Sequence, residues 1–64
     1  MDFKIGGVLR AIRLQKGIKA SYVAEQLEID PSTLSKYESD ERQVPVRLLP
    51  KFADVYDCEI NNFF

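Results

Sequence analysis

Sixty-four residues with nine Lys and Arg, ten Asp and Glu and no His carry a formal net charge of −1, and a chain this short makes one domain that buries only roughly 60% of its unfolded surface. The single cysteine, Cys58, excludes an internal disulfide and a cysteine-rich zinc site, and the lack of histidine removes the commonest zinc ligand and general base, so no metal or cofactor is expected. No apolar run approaches the ~20 residues of a membrane span and no signal peptide follows Met1-Asp2-Phe3-Lys4, so the expectation is a cytoplasmic protein with no membrane partner.

The first helix is predicted from about Phe3 or Ile5 to Lys16, because Ile5, Val8, Leu9 and Ile12 recur at helical spacing and make one apolar face. Lys16 places a cation in the last turn, and Gly17 supplies a left-handed C-cap. Gly6-Gly7 weaken the start by roughly 1 kcal/mol each relative to alanine. They read as fraying or as close packing against a neighbour, not as a phosphate loop, since no strand precedes them and no Lys-Ser or Lys-Thr pair follows. A second helix is predicted from about Ala20 to Leu27, with Val23, Ala24 and Leu27 inward. The third opens at Asp30-Pro31. Asp30 is expected to cap the free N–H groups, and Pro31 suits the first helical position with its preset φ. Leu34 and Tyr37 then point inward, leaving Ser32, Thr33, Ser35 and Lys36 outside.

Residues 39–45 read as a polar loop. A fourth helix, about Arg47 to Tyr56, begins no earlier because Pro50 is harmless only in a first turn. Leu48, Leu49, Phe52, Val55 and Tyr56 give it a broad apolar face, and a short fifth helix, about Glu59 to Phe64, carries Ile60, Phe63 and Phe64. Strand signals are nearly absent. The expected fold is all-α, a compact bundle of four to five short helices in one domain, residues 1–64.

Residues 19–38 hold the constellation that carries function. Two helices joined by a tight turn can lay the second in the DNA major groove while the first crosses the backbone. Such a unit needs a small residue inside its first helix, apolar residues at the turn and inside its second, and short polar groups outside. Ala24, then Ile29 and Leu34, then Ser32, Thr33, Ser35 and Lys36 meet those needs. The segments LRAIRLQKGIK, VAEQLEIDPSTLSKYE and FADVYDCEINNFF, in this order and spacing, resemble the phage repressor and Cro (lambda repressor-like, XRE) family of helix-turn-helix domains from about Ile5 to Phe64.

The resemblance implies a sequence-specific transcriptional regulator, of repressor type, that binds a palindromic operator in double-stranded DNA as a dimer through its third helix. It puts Pro31, Ser32, Ser35 and Lys36 near base edges, and Lys36 can donate to guanine O6 or N7. Phosphate contacts would come from Lys19, Ser21, Tyr22, Ser39, Arg42 and Gln43, and Thr33 would meet phosphate or pack against the scaffold. It also implies a partly buried, bidentate pair between Arg13 and Glu38 that sets the angle between the first helix and the reading helix. Ile60, Phe63 and Phe64 are candidates for a weak homodimer interface, although Ile60 and Phe63 also suit closure of the core.

Two departures stand out. The family's glutamine at the start of the second helix is replaced by Ala20, which cannot hold a phosphate. The loop after the third helix, usually glycine followed by basic residues, reads Ser39-Asp40-Glu41-Arg42, with two acids facing the expected backbone path. Asp40 can still adopt the left-handed conformation. The charge is uneven too: residues 1–37 sum to +2 and residues 38–64 to −3. An alternative is therefore a protein-interaction module on the same fold, an antitoxin, antirepressor or docking domain. No carboxylate clusters with a nucleophile or base, and the core is too small for an ordinary substrate pocket; neither an enzyme nor a small-molecule binder is expected.

Overall fold

Isolated helices shorter than about 12–15 residues are marginal in water, so each helix of this chain depends on the face it buries. The computed structural model describes residues 4–64. Among them run α1 (Gly6–Gln15), α2 (Ala20–Leu27), α3 (Pro31–Glu38) and α4 (Leu49–Tyr56), with 3-10 turns at Val46–Leu48 and Ile60–Phe63 and no strand. The helices enclose a core of Leu9, Val23, Ala24, Leu27, Leu34, Tyr37, Leu49, Phe52, Tyr56 and Phe63, flanked by Ile5, Val44, Leu48 and Ala53. Tyr56 is its aromatic centre. Its ring centroid lies 5.8 Å from that of Phe52 and 6.4 Å from that of Phe63, the latter in the edge-on arrangement that aromatic quadrupoles prefer.

Three expectations are corrected in detail. Val8 is exposed rather than part of the inner face of α1, because the buried line runs Ile5, Leu9, Arg13 at steps of four. The fourth α-helix starts at Leu49, not Arg47. In α-geometry the Pro50 ring would strike the carbonyl four residues back, that of Val46. The chain takes a 3-10 turn there instead, with Leu48 N–H donating to Pro45 O at 2.9 Å. The expected fifth helix is one 3-10 turn, Ile60–Phe63, too short to nucleate α-structure and built on two asparagines. The alternative start of the first helix at Phe3 lies outside the described residues.

Every α-helix ends in the same way. Gly17, Glu28, Asp40 and Asp57 take φ of 70, 58, 63 and 54°. Behind each, the next residue's N–H reaches back five residues: Ile18 to Arg13 O, Ile29 to Ala24 O, Glu41 to Lys36 O and Cys58 to Ala53 O, each at 3.0 Å. The positive-φ residue's own N–H reaches back three residues, to Leu14, Glu25, Tyr37 and Asp54 O respectively, and the two bonds together satisfy carbonyls that the helix itself leaves free. After three of the four ends the following residue, Ile18, Ile29 or Cys58, is half-buried against the core. Extended backbone at Lys19, Asp30 and Glu59 then opens the next element. Asp30 acts through its backbone only. Its carbonyl accepts from Thr33 and Leu34 N–H at 3.0 and 3.1 Å, whereas its carboxylate makes no capping bond, contrary to expectation.

The glycine pair at the start of α1 divides. A Cβ on Gly6 would lie 2.0 Å from the carbonyl oxygen of Tyr37, so the start of α1 sits directly on the end of α3. A Cβ on Gly7 would meet nothing within 4 Å. Gly7→Ala should therefore raise stability by about 0.5–1 kcal/mol, and Gly6→Ala should lower it by ~1–3 kcal/mol as the helices are forced apart. Urea denaturation of the two variants, which differ only in register, checks both signs.

Candidate nucleic-acid interface

The α2–turn–α3 unit is held from behind. Val23, Ala24 and Leu27 of α2 and Leu34 and Tyr37 of α3 are buried, and Ile29 plugs the turn between them. Pro31 occupies the first turn of α3, where its missing N–H costs nothing. With one face of α3 used for packing, Pro31, Ser32, Ser35 and Lys36 are left exposed and Thr33 half-buried. Lys19, Ser21 and Tyr22 at the start of α2 are exposed, as are Ser39, Arg42 and Gln43 beyond α3. Ala20 between them is half-buried against the core.

Arg13 and Glu38 fix α3 to α1. Arg13 Nε donates to Glu38 Oε2 at 2.7 Å and Nη2 to Oε1 at 3.0 Å, the parallel two-bond geometry of a guanidinium on a carboxylate. Both residues are buried, 9% and 6% exposed. Arg13 Nη1 also donates to Ile18 O at 3.1 Å, a bond the sequence did not suggest, so one guanidinium ties α1, the α1–α2 turn and α3 together. The hydrogen bond to Glu38 raises the Arg13 pKa above its ordinary value against the opposing effect of burial.

The loop after α3 is organised by one carbonyl. Lys36 O accepts from Glu41 N–H at 3.0 Å, Arg42 N–H at 3.2 Å and the Ser39 hydroxyl at 3.2 Å. Asp40 reaches further: its Oδ1 accepts from Gly6 N–H at 3.0 Å, across 34 residues of sequence. Arg47 and Lys51, which the sequence left unassigned, border an open groove of about 290 Å³ behind the turn with Leu27, Glu28 and Ile29. At the C-terminal end, Phe63 is 1% exposed with its ring against Tyr56. It is therefore a core residue and is corrected as an interface candidate, whereas Phe64 is 67% exposed and Ile60 half-buried.

A family model described as helix-turn-helix matches residues 9–63. The chain belongs to the helix-turn-helix family. It is of the phage-repressor (XRE) type, a family of transcriptional regulators that bind double-stranded DNA. Similar proteins include the HTH-type transcriptional regulator RamB of Mycobacterium tuberculosis, in strains CDC 1551 / Oshkosh and ATCC 25618 / H37Rv. In both the identity is 30% over 59 residues, 92% of this chain. The match spans only 12% of RamB's length. The crystal structure of the restriction-modification controller protein C.AhdI from Aeromonas hydrophila superposes with a TM-score of 0.86 at 30% identity, covering 95% of this chain and 92% of that one. No helix among the described residues is long and apolar enough to cross a membrane.

Two predictions follow from the buried ionic centre of this helix-turn-helix domain. Arg13→Ala leaves Glu38 buried without its partner and should cost ~3–5 kcal/mol, read as a lower urea midpoint. Tyr56 is fully buried, and its hydroxyl has no hydrogen-bond partner among the described residues. Burial first, then the nearby Glu38 charge, pushes its pKa well above the usual value. The unfolded chain releases this proton near pH ~10 while the folded chain holds it. Deprotonation therefore favours the unfolded state. The Tyr56 contribution is complete below pH ~10 and falls away above it. Tyr56→Phe should flatten that part of the alkaline stability profile.

Proposed function

We propose that this chain is a sequence-specific DNA-binding transcriptional regulator that lays α3 in the major groove, with Ser32, Ser35 and Lys36 toward base edges and Pro31 at the entry. The observation that carries the reading is the division of labour on α3. Its inner residues Leu34, Tyr37 and Glu38 are buried, and its outer polar residues remain exposed. Lys19, Ser21 and Tyr22 on one side, and Thr33, Ser39, Arg42 and Gln43 on the other, are the proposed phosphate contacts. All of them are exposed except the half-buried Thr33, which supports this.

Eight helical residues span about 12 Å, room for only a few base pairs. Two copies on a palindromic site would double the sequence read, with half-site centres about 34–36 Å apart. In this reading Phe64 and the exposed edge of Ile60 meet across the dimer axis, and the protein acts as a repressor by occupying its operator. A protein-docking role for the same fold is favoured by Glu41, an exposed acid on the loop beside Arg42.

Selection of sites from a random duplex library at low salt tests this. The expected result is a palindromic motif whose base preference changes in Lys36→Ala and Ser32→Ala, with Lys36→Ala losing about 1–3 kcal/mol of affinity. Binding should weaken steeply with salt. No enrichment and no salt-dependent retention would replace DNA by a protein partner.

A further inference from the structure

We propose that Asp40 is a positioning residue for DNA binding: its carboxylate caps α1 in trans, and that clamp fixes the loop bearing Ser39, Arg42 and Gln43. The inference rests on the reading of α3 as the DNA helix. It begins with what α1 lacks. The first turn of α1 contains no acidic residue, and Ile5 at its N-cap offers no side-chain acceptor. Unpaired N–H groups and the positive end of the helix dipole call for one. Asp40 Oδ1 supplies it at 3.0 Å from Gly6 N–H.

The approach is possible because residue 6 is glycine. A side chain there would collide with Tyr37 O and come within 2.8 Å of the Asp40 carboxylate. Asp40 itself is in the left-handed conformation, φ 63°. That turn aims its carboxylate back at α1 while its backbone closes the end of α3. The neighbouring N–H groups of Glu41 and Arg42 are both bound to Lys36 O. Lys36 O thus holds the turn to α3, and the Asp40 bond holds the same turn to α1, so the two together fix Arg42 against both helices. The clamp also accounts for an acid where phosphate is expected. Its charge is directed at the positive end of α1 rather than left in the loop.

Asp40→Asn and Asp40→Gly separate this role from charge and from turn geometry. Both remove the negative charge and both tolerate positive φ, but only the asparagine keeps a side-chain acceptor. DNA affinity is measured for each, beside Lys36→Ala, at a temperature where thermal melts show every variant folded. Binding should be three- to tenfold tighter for Asp40→Asn than for Asp40→Gly, roughly the worth of one hydrogen bond. The salt slope of Asp40→Gly should be shallower by about one unit as the Arg42 contact is lost. The Gly6 amide should exchange slowly in the wild type and Asp40→Asn and quickly in Asp40→Gly. Equal affinities and slopes for the two variants, with Lys36→Ala still weakened, would overturn the clamp and leave the DNA reading intact. Absence of DNA binding by the wild type would overturn both.

Discussion

The Arg13–Glu38 pair is the constraint on which the rest depends. A core assembled from four helices, three of them only eight residues long, has little apolar area with which to define helix angles. Two charges buried at 2.7 Å supply direction that dispersion forces lack. Removing them from water costs several kcal/mol per ion, and the two parallel bonds, with a third from Arg13 to Ile18 O, offset that cost. The value of such a pair lies less in net stability than in orientation. A guanidinium plane matches a carboxylate plane in few poses. Because Glu38 is the last residue of α3, fixing it fixes the direction in which Ser32, Ser35 and Lys36 are presented.

Around this pair the chain repeats one device. Each α-helix is stopped by a single residue at positive φ and turned by a back-bonded successor. Three of the four turns then insert an apolar side chain into the core and leave by extended backbone. Short helices need this because fraying of even one turn would remove much of each. Only one of the four stops is glycine. Glu28, Asp40 and Asp57 hold the conformation with side chains attached, and at Asp40 that side chain does a second task by reaching Gly6. Cys58 stands where Ile18 and Ile29 stand in the other two turns, which makes it a small hydrophobe in a repeated socket.

Most of this was legible in the sequence. The spans of α2 and α3 follow from Asp30-Pro31 and from the spacing of Val23, Ala24, Leu27, Leu34 and Tyr37. The buried Arg13–Glu38 pair was legible through the family resemblance. What escaped was either local or distant in a particular way. The 3-10 character of Val46–Leu48 and Ile60–Phe63 depends on ring sterics at Pro50 and on segment length, to which hydrophobic period is blind. The backbone-only role of Asp30 is a rotamer choice. The Gly6–Asp40 bond joins residues 34 apart whose types suggest a weak helix start and a turn. Only the close approach at Gly6 unites them, and Phe63 was ambiguous because a terminal aromatic serves core and interface equally well.

The separation of inner and outer faces on α3 has an evolutionary consequence. Ser32, Ser35 and Lys36 are exposed, so replacing them should change stability by no more than about 0.5 kcal/mol. The outer face of α3 can then drift through many substitutions without crossing the stability threshold that limits a chain of this size. One scaffold can thereby present different outer faces, each inheriting the same orientation of α3 from Arg13 and Glu38.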